Sequence, residues 1–108
     1  MLRADQIQQR ISHIQQTIGQ AEQACMSSAD TPPELKACLQ KMAREAKEAD
    51  EVIKTNEESR IIECVDHLED LGDDARRLSR SEARISPQVE TAVSRVHAEL
   101  SELKHKLH

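Results

Sequence analysis

The sequence predicts an all-α protein, an antiparallel up-down-up-down four-helix bundle, and three observations carry that reading. Apolar residues recur every three or four positions through four successive stretches. The stretches are similar in length and are separated by short polar breaks that carry helix-start chemistry. None of them alternates at the two-residue period of a strand. With 108 residues the chain reads as one domain, 1–108, with room for a single small core.

The first stretch carries Ala4, Ile7, Ile11, Ile14, Ile18, Ala21 and Cys25 on one side, with Gly19 on the outer side. Its polar positions are mostly glutamine: Gln6, Gln8, Gln9, Gln15, Gln16, Gln20 and Gln23. Helix one should fade through Met26, Ser27, Ser28, Ala29 and Asp30. Thr31-Pro32-Pro33-Glu34 then predicts a fresh start, with Thr31 as the cap, proline in the first turn and Glu34 closing a capping box. Helix two follows on Leu35, Leu39, Met42, Ala46, Ala49 and Ile53, a thin seam whose alanines let neighbours approach.

Thr55-Asn56-Glu57-Glu58 repeats the capping pattern and predicts a tight turn. The alternative is one continuous helix through it, which would make a three-helix arrangement with a long central helix. Helix three carries Ile61, Cys64, Leu68, Leu71, Ala75 and Leu78, broadened by Ile62 and Val65, and should end near Ala83. Gly72 falls inside it and invites a kink. Its acidic residues come first, from Glu57 to Asp74, and its arginines last, from Arg76 to Arg84, an order that suits the helix macrodipole. The fourth helix opens on Ser86-Pro87 and buries Val89, Val93, Val96, Leu100, Leu103 and Leu107.

Composition narrows the function. The chain has no Phe, Tyr or Trp, so the core is aliphatic and no aromatic plane exists to stack a base or a flat cofactor. A net charge of -5 argues against nucleic acid. No apolar run approaches a bilayer span and no signal sequence opens the chain, so a cytoplasmic location is expected, without a membrane partner. There the three cysteines should stay reduced.

Several residue pairs invite a chemical reading. Cys64 and His67 share a helix face and could take a zinc or copper ion. His97 would be a third ligand, yet counting from the loop near Ile85 places it roughly 9 Å along the bundle from His67. The plainer reading makes Cys64 a small core residue and His67 a solvated flank. Cys25 and Cys38 flank the first loop and could form a disulfide, although buried thiols are expected in a reducing compartment. Glu102-x-x-His105-x-x-His108 resembles half of a di-iron pattern, but it occurs once and at the chain end. The acidic run from Asp66 to Asp74 lacks the order of a calcium loop and reads as a solvated face. Arg76-Arg77-Leu78-Ser79 matches a basic pattern that precedes phosphorylated serines, a short match of little weight.

No residue is assigned a catalytic, cofactor-binding or metal role on these grounds, and no cofactor is expected. The sequence therefore favours a non-enzymatic interaction or scaffolding module that holds a protein partner or its own copy. The alternative is a metal-binding or thiol-handling protein using Cys64 and His67, or Cys25 and Cys38. A monomer with so thin a core should be marginal, and self-association is one remedy. Helix one is the expected dimer surface because glutamines are cheaper to desolvate than charges, with the helix-three face as the alternative.

Overall fold

The computed structural model describes residues 3–28, 31–81 and 85–108. They form four helices: α1 (Ala4–Ser27), α2 (Pro33–Lys54), α3 (Glu58–Ser81) and α4 (Pro87–Leu107). The outer pair α1 and α4 pack together, and α2 and α3 pack together and against them, so every helix has two neighbours and the ring closes. The result is a four-helix bundle of 42 × 20 × 17 Å with the core along its axis.

The α1 seam is buried as its spacing requires, from Ile7 to Cys25. Thr17 joins it, its hydroxyl satisfied by donating to the His13 carbonyl at 3.1 Å. Arg3 rather than a hydroxyl residue begins the helix, and its N–H donates to Gln6 Oε1 at 3.0 Å. A second glutamine has a structural task. Gln15 Nε2 donates to the Ala46 carbonyl and to Asp50 Oδ2, both at 3.0 Å, and these bonds set the register of α1 on α2.

The expected Thr31 cap does not form. Pro32 is the N-cap of α2, with φ -62° and ψ 142°, and its carbonyl accepts from Lys36 N. The cause is the second proline: the Pro33 ring pushes Pro32 out of the helical region, so the helix cannot begin at Thr31. Thr31 is instead buried beside the end of α1. The Thr55 break is real. Asn56 takes φ 58°, the left-handed conformation that Asn tolerates, and the Thr55 hydroxyl accepts from Glu57 N at 3.3 Å. Helices two and three are therefore separate.

The α3 seam is rotated from the expected one. Val65 and Ser79 are buried, while Cys64 and Leu78 are only half-buried. Gly72 explains the rotation. A Cβ there would stand 3.3 Å from Leu100 Cδ1 and 3.7 Å from the His97 Cα, so α4 comes in over the glycine. That approach draws the buried arc towards Val65 and Ser79. Gly72 thus serves close packing, and α3 runs unbroken from Glu58 to Ser81. The expected end near Ala83 lies outside the described residues. In α4, Ser86 Oγ accepts from Val89 N at 3.3 Å, the expected cap, and Val89, Val93, Val96, Leu100, Leu103 and Leu107 are all buried.

Candidate functional site

The cysteines point apart. All three are free thiols. Cys38 donates to the Leu71 carbonyl at 3.4 Å and so turns towards α3, whereas Cys25 lies against Thr31 and Lys36 at the α1–α2 end. Burial pushes each thiol up from its ordinary range, with the Asp74 charge adding to the rise at Cys38. Working thiols are shifted the other way, towards the thiolate.

Cys64 and His67 do not assemble a site either. His67 Nδ1 stands 3.0 Å from Glu45 Oε2 of α2 and is used there. The same habit recurs around the bundle: His13 faces Glu99 at 2.9 Å across α1 and α4, and His108 faces Asp66 at 2.9 Å across α4 and α3. His97 pairs with Asp73. Asp73 lies about 9 Å of helical rise beyond His67, the offset expected from the chain count. The Glu102-x-x-His105-x-x-His108 residues diverge. Glu102 accepts from Arg10 Nη1 at 3.1 Å, towards α1, while His108 reaches α3. The hydrogen bond from Arg10, then that from Lys106, holds the Glu102 carboxyl below its ordinary range. Ser79 is 2% exposed and donates to the Arg76 carbonyl at 2.8 Å, so it is out of reach as a phosphate acceptor.

Two regions remain. The first lies along the junction of α3 and α4, where the acidic run is less solvated than expected. Glu69 has a side chain only 13% exposed, with Oε1 3.8 Å from Lys104 Nζ and Oε2 buried without a hydrogen-bond partner. One turn on, Asp73 meets His97, whose side chain is 15% exposed. Burial, and then the Asp73 carboxylate beside it, raise the Glu69 carboxyl above its ordinary range.

The second region is the outer side of α1. Gln6, Gln8, Gln9, Ser12, Gln16, Gln20 and Gln23 are exposed. A shallow depression there is lined by Asp5, Gln8, Gln9, Ser12, His13 and Gln16. The charges at its margins are partnered, Asp5 by Arg3, Arg10 by Glu102 and His13 by Glu99. At its far end stands Met26, 81% exposed, the sole exposed large hydrophobic side chain among the described residues. No other helix presents so long an uncharged surface: the exposed positions of α2 include Lys41, Arg44, Lys47, Glu48 and Glu51, and those of α3 include Arg60, Glu63, Asp70 and Arg77.

No family model, curated protein or solved structure matches the chain. No helix of the described residues is long and apolar enough to cross a membrane. Sequence reading overlooked Glu69 and Asp73. Their spacing of four was visible and the count from the loop near Ile85 already sets His97 level with Asp73, but an acidic run reads as a solvated face, and nothing local shows that Glu69 turns into the α4 junction.

Proposed function

We propose that this chain acts without catalysis, as a small cytoplasmic interaction module that pairs with a second copy of itself through the outer face of α1. The observation that carries this reading is the uncharged surface from Gln6 to Gln23 in a chain of net charge -5. Two copies of an acidic protein repel, and the repulsion is least where they meet on a face without formal charge. A two-fold interface also opposes each patch with itself. Glutamine suits that demand because its amide both donates and accepts, so a glutamine face is complementary to its own copy. Desolvating such groups costs less than burying unpaired charges, and the bonds regained across the interface offset the cost. The three unpaired thiols fit a reducing compartment. Little apolar surface is available, so the pair should be reversible and of micromolar rather than nanomolar affinity.

Sedimentation equilibrium tests the reading, on the wild type and on a double variant carrying Gln9→Glu and Gln16→Glu. Both positions are exposed, and neither makes a hydrogen bond needed for the fold. The expected outcome is a concentration-dependent dimer that the two charges weaken by tenfold or more, roughly 1.4 kcal/mol or above. A strictly monomeric wild type, or a dimer indifferent to the two charges, removes α1 as the interface.

A further inference from the structure

We propose that Glu69, Asp73 and His97 form a binding site for one divalent metal ion of the zinc class, bridging α3 and α4. The ligand atoms are one imidazole nitrogen and two carboxylate oxygens from two helices, all within 4.8 Å of one another. Zinc bonds of about 2.0–2.1 Å would place tetrahedral ligands about 3.4 Å apart, so closure requires a shift of about an ångström. Asp73, 52% exposed, has the freedom to supply it, whereas His97 is held in the junction.

The set is assembled by backbone geometry. Glu69 and Asp73 are one turn apart and lie on the same face of α3. Gly72, between them in sequence, admits α4 so closely that the His97 Cα would stand 3.7 Å from a Cβ at that position. The imidazole therefore arrives at the level of the two carboxylates.

A second observation asks for a cation. Glu69 Oε2 is buried with no N–H or hydroxyl donor, its polar neighbour being the Asp73 carboxyl, while Lys104 approaches only the other oxygen, at 3.8 Å. A buried anionic oxygen without a partner is costly, and a bound ion is one way to satisfy it. Two carboxylates with a neutral imidazole give the donor set a charge of minus two, which a divalent ion cancels. The ligand types suit zinc, cobalt(II) or manganese(II) better than copper(I), which seeks thiolates. Cys64 and His67 offer only two ligands, with His67 engaged by Glu45. Three protein ligands leave a coordination position open to water or to a donor from a partner.

The test uses the untagged chain, freed of metal by chelation and titrated with cobalt(II), and thermal unfolding with and without zinc. The expected result is one equivalent bound with d–d absorption and no thiolate charge-transfer band, together with a zinc-dependent rise in Tm. Asp73→Asn should weaken cobalt binding by more than about tenfold while leaving the metal-free Tm nearly unchanged, because the side chain is half exposed. Cys64→Ser should bind as the wild type does. Absence of saturable binding up to millimolar cobalt, undiminished binding by Asp73→Asn, or a thiolate band that Cys64→Ser abolishes would each overturn the proposal.

Discussion

Gly72 shows how much can rest on one missing side chain. Glycine inside a helix costs about 1 kcal/mol relative to alanine, and the chain accepts that cost at two positions. At Gly19 a Cβ would meet nothing within 4 Å, so Gly19→Ala should recover the propensity and stabilise by roughly 0.5–1 kcal/mol. At Gly72 the same methyl would press at 3.3 Å on Leu100 Cδ1, the end of a side chain with no exposed surface. Gly72→Ala should therefore gain much less than Gly19→Ala, the contact offsetting the propensity. Urea midpoints of the two variants compare them directly, and equal gains would mean that α4 does not close on Gly72. The sequence announced both glycines and separated neither, because propensity is local and the neighbour at 3.3 Å belongs to another helix. The same limit hid Glu69. Its place in an acidic run predicts solvent, yet the rotation of α3 that buries Val65 also carries Glu69 into the α4 junction.

At the scale of the element, the apolar period located the four helices well, and the details that failed were those where two local rules compete. Thr31-Pro32-Pro33-Glu34 satisfies the pattern of a capping box, but the restriction on a residue before proline is steric and outweighs a cap worth about 1 kcal/mol. Pro32 therefore takes the cap position, and Thr31 is buried for other reasons. At Thr55 no such conflict arises. A left-handed Asn56 ends α2, and the Thr55 hydroxyl bonds into the turn. A proline scan distinguishes this break from a continuous helix. Ala46→Pro removes a bond and crowds the preceding turn inside α2, at a cost of about 3 kcal/mol or more, and its carbonyl partner Gln15 would lose its register as well. Thr55→Pro meets a φ of -78°, close to that of proline, and forfeits the bond from its own N–H to Val52 and the two bonds of the Thr55 hydroxyl, and it crowds Lys54 before it, but all of these losses fall at the end of α2 and not inside it. The first variant should be grossly destabilised and the second much less so, read from helical circular dichroism on heating. Equal loss at both positions would show that α2 and α3 are mechanically one helix.

For the whole molecule the question is whether one copy suffices. The sequence suggests a thin core in need of a partner, yet the four seams meet around a single axis, and the fully buried side chains run from Ile7 and Ile18 in α1 through Leu39 and Leu68 to Leu100 and Leu103 in α4. Each helix packs against two neighbours around the ring and its apolar stripe faces the common axis, so the core closes within the chain. A polar interface on α1 would then add stability by mass action alone, without supplying core. Leu100→Ala tests the core itself: with no exposed surface and a contact at Gly72, its truncation should cost about 2–5 kcal/mol, a large share of the roughly 5–15 kcal/mol typical of a domain. Thr91→Ala on the exposed side of α4 should stay within about 0.5 kcal/mol. Dilution then separates the two sources of stability. Below the dissociation constant of the proposed dimer, the wild type should still unfold in one cooperative step, with a midpoint no longer dependent on concentration, and Leu100→Ala should lower that midpoint. A chain that loses its helical signal on dilution alone would show that the second copy completes the core.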